Sequence, residues 1–146
     1  MQALTAKLEA LEQRDQQLEV WRRAWDRALA HFHDLIRKGL SNSDLYRLRR
    51  EVLDPNGFPA LTLEMANVPG RIFFKADQSC VSEQGELLPG RGFITCRSRS
   101  IRLYQWHTVG EGEGGWYIDD SGRPDHHVPI EEGLEEAILS LISDVV

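Results

Sequence analysis

From about residue 4 to residue 38 the apolar side chains recur every three or four positions, and this repeat constrains the fold more than any other feature. Asp15 and Arg22 occupy two positions of the repeat. Such spacing is a heptad seam, which predicts one long helix that buries a single stripe. The apolar members of the seam are Leu4, Leu8, Leu11, Leu18, Trp25, Leu29, Phe32 and Ile36.

This predicted helix would be about 50 Å long at 1.5 Å per residue, which is longer than a small domain needs. Part of it must therefore project from the fold or pair with another helix. Trp21, Trp25, Phe32 and Leu35 make its second half the more apolar one. We expect that half to anchor the helix to the rest of the chain.

The two charged seam positions predict how the helix associates. In a parallel dimer Asp15 would face Asp15 and Arg22 would face Arg22, which places like charges together in core positions. Antiparallel pairing centred near Leu18 and Glu19 sets Asp15 of one chain against Arg22 of the other. We therefore predict a homodimer through residues 4–36. The alternative is that both charges mark the solvated end of a helix whose later half docks within its own chain.

A second, short helix is predicted from about residue 44 to residue 53. Ser41 and Asp44 have the spacing of a capping box, and Pro55 disfavours helix in the residue before it. Residues 1–58 would then form a helical hairpin that mediates self-association. The apolar residues that would share one face of the short helix are Leu45, Leu48 and Val52.

After residue 59 the pattern changes to alternating β-branched, aromatic and polar residues, which is typical of strands. The closely spaced turns predict an antiparallel meander of about four to five strands. A C-terminal helix with an apolar stripe should pack on this sheet, so that residues 59–146 form one compact α+β unit. The candidate strands are 60–65, 71–76, 92–97, 100–108 and 116–119, and the stripe is Leu134, Ala137, Ile138, Leu141, Ile142 and Val145.

The predicted strand at 100–108 has two different faces. One face would be aliphatic, and the other would be aromatic with a basic edge. The first face carries Ile101, Leu103 and Gln105, and the second carries Arg102, Tyr104 and Trp106.

The 146 residues suffice for one core without disulfides. Cys80 and Cys96 lie in unrelated contexts without a CxxC spacing, and the sequence contains neither a signal-peptide pattern nor an apolar run long enough to cross a bilayer. We therefore expect a cytoplasmic protein with no membrane partner.

Negative charge is concentrated at the end of the chain, whose formal net charge is −6. Residues 108–146 contain ten Asp or Glu and a single basic residue, Arg123. Such a field attracts a basic surface and accelerates encounter with it, although an acidic helix can also be merely solvated. The residues predicted to contact a basic protein partner are Glu111, Glu113, Glu132, Glu135 and Glu136.

The densest group of possible metal ligands lies at 119–127. Adjacent histidines on an extended backbone point to opposite sides, so His126 and His127 cannot easily share one ion. We predict a polar turn here, and a small metal-dependent hydrolase is the alternative. Residues 110–115 match GxGxxG, but a predicted strand follows them where a dinucleotide site needs a helix. No catalytic residue, metal site or cofactor is predicted.

The basic groupings are Arg47, Arg49 and Arg50, together with Arg97, Arg99 and Arg102. A nucleic-acid-binding regulator that uses the first three is a further alternative, but such a role favours contiguous cations and a positive domain. We expect no nucleic-acid partner, because the chain is acidic. The sequence thus favours a non-enzymatic protein–protein interaction protein, such as a regulator, adaptor, immunity protein or inhibitor.

Overall fold

The computed structural model describes residues 1–52, 54–81, 83–85, 88, 90–105, 115–119 and 127–143. In these residues one long helix is followed by seven strands and a second helix. A short 3₁₀ turn, Ser43–Leu45, precedes the first strand. The bounds are α1 Gln2–Gly39, β1 Tyr46–Val52, β2 Pro59–Met65, β3 Ile72–Ala76, β4 Arg91–Cys96, β5 Arg99–Gln105, β6 Trp116–Asp119, β7 His127–Pro129 and α2 Ile130–Ile142.

The described strands form one antiparallel sheet in which each strand pairs with the next one along the chain. The predicted α+β class and the antiparallel meander are confirmed. Because side chains alternate between the two faces of a strand, the register collects the aliphatic residues on one face, where both helices pack. The buried residues of this face include Leu61, Leu63, Ile72, Phe74, Ile94, Cys96, Leu103 and Ile118.

The second half of α1 supplies the largest side chains of the core. Trp25 donates a hydrogen bond from Nε1 to the carbonyl oxygen of Pro59 at 2.7 Å. Its ring meets Phe32 and Trp116 edge to face, with centroid distances of 6.1 and 5.5 Å. Gly92 leaves the space for this ring, because a Cβ at that position would lie 2.6 Å from it. The prediction that this half anchors the helix is confirmed.

The C-terminal helix α2 follows β7 directly and packs on the sheet, as the apolar stripe predicts. Leu134, Ala137 and Leu141 are buried, and Ile138 and Ile142 are partly buried against the same core. The last stripe residue, Val145, lies outside the described residues. Among the residues that the structure describes, neither helix has both the length and the apolar character of a membrane span.

The predicted short helix at 44–53 is wrong, and with it the helical hairpin at 1–58. Residues 46–52 form β1, which pairs with β2 from Tyr46 opposite Met65 to Val52 opposite Pro59. Its apolar residues fit the period of two of a strand as well as the period of a helix. Pairing with β2 selects the strand. The residues of the predicted capping box precede only the 3₁₀ turn. There the Asn42 side chain accepts a hydrogen bond from the Asp44 amide at 3.1 Å.

Within the described residues the sheet therefore has seven strands, whereas the sequence predicts four to five. The five predicted strands are present as β2–β6, and residues 106–108 of the predicted 100–108 strand lie outside the described residues. Strand β7 spans only His127–Pro129, which is too short for alternation to reveal it. Strand β1 lies before the predicted boundary at residue 58 and yet pairs along its length with a strand that lies after it.

Candidate functional site

The N-terminal part of α1 is exposed on all sides. We call residues 2–17 the arm, which is about 24 Å long at 1.5 Å per residue. Leu4, Leu8 and Leu11 are 52%, 58% and 43% exposed, although they lie on one stripe of the helix. Among the described residues, no other element covers this stripe. The arm therefore has an apolar stripe that remains exposed to solvent.

The later seam residues have a different role. Trp25, Leu29, Phe32 and Ile36 are buried in the core of their own chain, and Leu18 is partly buried beside it. They cannot contact a second chain while α1 packs on the sheet. Within the predicted interface at 4–36, the later seam residues are therefore part of the core of their own chain, and Leu4, Leu8 and Leu11 are the seam leucines that remain exposed.

Arg22 is held by its own chain as well. Its Nη2 donates to the carbonyl oxygen of Asn56 at 2.7 Å, and its Nη1 pairs with Glu19. The guanidinium carbon lies 5.6 Å from the centroid of the Phe58 ring. Pairing with Asp15 of a second chain would have to replace these contacts. The arrangement matches the alternative in which the later half of the helix docks within its own chain.

The predicted acidic surface is present in part. Glu132, Glu135 and Glu136 are exposed on α2, a helix whose sequence contains no Lys or Arg. Glu131 pairs with His31 of α1, with 2.7 Å between its Oε1 and the histidine Nε2. The other two predicted contact residues, Glu111 and Glu113, lie outside the described residues. We call Glu132, Glu135 and Glu136 the acidic face.

The acid–histidine cluster lies mostly beyond the described residues. Asp119 is partly buried on β6 and opposes His127 of β7 in the register. Asp120, Asp125 and His126 are not described, and neither are residues 110–114 of the glycine motif. The described part of the chain contains no group of three His, Cys, Asp or Glu that could hold a metal ion.

The sheet face opposite the helices is a surface that the sequence pattern alone does not reveal. We call it the open face. The alternation of the strands puts six cations, three carboxylates and four aromatic rings on it. They are Arg47, Arg49, Arg71, Lys75, Arg91 and Arg102, then Glu51, Glu64 and Asp119, and finally Phe73, Phe93, Tyr104 and Tyr117.

The predicted arginine groupings divide between the two faces. Arg47 and Arg49 lie on the open face, whereas Arg50 points to the helices and donates from Nη1 to Asp26 Oδ1 at 3.0 Å. Arg102 lies on the open face, and Arg99 donates to the carbonyl oxygen of Ser140 in α2 at 2.6 Å. The set Arg47, Arg49 and Arg50 is therefore not one surface. Only the register of the strands shows which cations belong together.

Comparisons with protein-family models, with curated proteins and with solved structures give no match. The arm, the acidic face and the open face are thus the features from which a function can be inferred.

Proposed function

We propose that the protein is a non-enzymatic protein–protein interaction protein that self-associates through its arm. The exposed stripe of Leu4, Leu8 and Leu11 is the observation that supports this proposal. Covering this apolar stripe removes it from water, which is favourable. A second copy of the chain brings the same stripe, so two arms cover each other.

Steric constraints favour antiparallel pairing of the arms. A heptad stripe drifts by only about 20° per heptad on a straight helix, so the stripe of the arm faces nearly the same side as the buried stripe beyond it. On that side the sheet begins near Trp21, which is buried against Phe58. A parallel partner helix would run into the sheet, whereas an antiparallel one runs away from it. The centre of pairing therefore moves from Leu18 to a point between Leu8 and Leu11.

Charges on the surface of the arm favour the parallel arrangement, but their contribution is smaller than the steric cost. Lys7 and Glu12 flank the stripe at positions that attract each other in a parallel pair. An exposed ion pair of this kind contributes at most about 1 kcal/mol. Removing α1 from the sheet to make room for a parallel helix would cost a large part of the roughly 5–15 kcal/mol that stabilises a domain. The antiparallel arrangement is therefore preferred.

Light scattering tests self-association. Changing Leu8→Asp and Leu11→Asp together should weaken the dimer at least about 100-fold, because each buried leucine contributes about 1.5–3 kcal/mol and every 1.4 kcal/mol is tenfold. Val20→Asp is the matched control, since Val20 is exposed on the same helix but lies off the stripe. Circular dichroism checks that the variants remain folded. A wild-type protein that is monomeric at tens of micromolar contradicts the proposal.

The acidic face is proposed to bind a basic protein partner. Leu134, Ala137 and Leu141 hold α2 on the sheet, which leaves Glu132 and Glu135 directed away from the core. Charge of one sign on a fixed helix steers a cationic surface towards it. The effect should decline as salt shortens the screening length from about 10 Å at 0.1 M.

An oligolysine peptide can test the acidic face by fluorescence titration at low salt. Reversal of Glu132, Glu135 and Glu136 to Lys should weaken binding at least about tenfold, because the local field is removed. The matched control reverses Glu9, Asp34 and Glu83 to Lys, three exposed acids elsewhere that give the same net charge. Equal losses in both triple variants would show that net charge alone attracts the peptide.

A further inference from the structure

Aromatic rings and cations lie beside one another on the open face. The register sets Lys75 of β3 opposite Phe93 of β4, and Phe93 opposite Arg102 of β5. In the next row Arg91 opposes Tyr104, which opposes Tyr117. Directly paired side chains on neighbouring strands lie about 5 Å apart. The two rows bring three rings and three cations together in one strip, and Asp119 lies opposite Arg102 at the end of the first row.

The rings of this strip are accessible in part. Phe73, Phe93 and Tyr117 are half-buried, while Tyr104 is almost covered. Tyr104 and Tyr117 are stacked, with a centroid distance of 5.7 Å. The described helices pack on the other face of the sheet, so they do not cover Phe73, Phe93 or Tyr117. Accessible aromatic rings on the central strands of a sheet can serve as a platform for planar ligands.

Among the described residues, the cations of the open face outnumber its carboxylates, although the whole chain has a net charge of −6. Glu64 forms ion pairs with two cations. Its Oε1 lies 3.3 Å from Nη2 of Arg49 and 3.4 Å from Nε of Arg71. Lys75 and Arg91 instead lie over rings, at 4.8 Å from the Phe73 centroid and 5.3 Å from the Tyr104 centroid. A cation held over a ring can still donate hydrogen bonds to an anion.

We propose that the open face binds single-stranded nucleic acid. Bases stack on Phe73, Phe93 and Tyr117, and phosphates contact Lys75, Arg91 and Arg102. A single strand presents flat base faces beside negative phosphates, which suits rings and cations that lie side by side on one surface. An acidic protein segment brings the charge without the regular flat faces, and a duplex hides its base faces. Sequence preference should be weak, because every base has a π-face.

This surface does not involve the arm or the acidic face, so its test is independent of the proposed function. The proposal also differs from the prediction that an acidic chain has no nucleic-acid partner. That expectation considered the chain as a whole, whereas the sheet register concentrates the cations on one face.

A fluorescently labelled oligothymidylate of about twelve nucleotides is a suitable probe for anisotropy titration. The wild-type protein should bind it at low salt, with an affinity that falls as salt rises. Lys75→Ala combined with Arg102→Ala should weaken binding at least about tenfold and flatten the salt dependence. Phe93→Leu should weaken it about 5-fold to 100-fold while leaving the salt dependence unchanged, because it removes a stacking surface but no charge.

The matched control is Arg37→Ala combined with Lys38→Ala, which removes two exposed cations from the last turn of α1. It should bind like the wild type. Failure of the wild-type protein to bind at low salt overturns the proposal, and so does an equal loss in the control. Stronger competition by an oligoglutamate peptide than by unlabelled oligothymidylate also overturns it, since an acidic protein segment would then be the better occupant. If Phe93→Leu does not fold, the variant with Lys75 and Arg102 replaced decides the test.

Discussion

Trp25→Ala should lower the free energy of unfolding by about 4–6 kcal/mol, the largest loss expected from a single truncation in α1. Removing a buried tryptophan costs about 3–5 kcal/mol, and the lost hydrogen bond to Pro59 adds about 1 kcal/mol. Trp25 is 1% exposed, and Phe32 and Trp116 contact its ring. Because small domains are stable by only about 5–15 kcal/mol, much of the variant should be unfolded at moderate temperature. Urea denaturation followed by circular dichroism measures the change.

Two further variants separate the causes. Trp25→Phe keeps a ring in the space beside Gly92 but leaves the Pro59 carbonyl without its donor, so it should cost about 1 kcal/mol for that lost bond in addition to the cost of a smaller cavity. Val20→Ala changes an exposed residue of the same helix and should stay within about 0.5 kcal/mol of the wild type. If Trp25→Ala unfolds at the same urea concentration as Val20→Ala, α1 is not part of the core.

Periodicity predicts the elements that bury one continuous face. The anchoring half of α1, strands β2–β6 and helix α2 all have such a face, and each was identified from its own residues. Strand β1 does not, because Tyr46, Leu48 and Val52 fit two periods and the arginines between them suit either structure. Its conformation depends on pairing with β2, a contact that no local pattern contains.

The same limit applies to the functional surfaces. A heptad repeat marks a stripe to be covered, but a sheet of the same chain covers it as well as a partner helix does. The buried Phe32 and the exposed Leu8 therefore have the same sequence signature. The alternation within β5 shows that Arg102 and Tyr104 share a face. It does not show that Phe93 lies beside Arg102, because this depends on the register between strands.

Leu141→Asp should unfold the protein, whereas Leu139→Asp should not. Leu141 is 3% exposed within the core, and Leu139, two residues earlier on α2, is 54% exposed. A carboxylate at residue 141 would be buried without a partner, which should cost more than about 4 kcal/mol. The same side chain at residue 139 remains in water and should cost less than about 0.5 kcal/mol.

This pair isolates burial from every other effect of the substitution. Both variants replace Leu by Asp in the same helix, so the change in net charge and the loss of helix propensity are nearly equal. The difference between their urea midpoints therefore measures how firmly α2 is packed on the sheet. If both variants keep the wild-type midpoint, α2 does not pack as the structure shows, and Glu132, Glu135 and Glu136 lose the fixed support on which the acidic face depends.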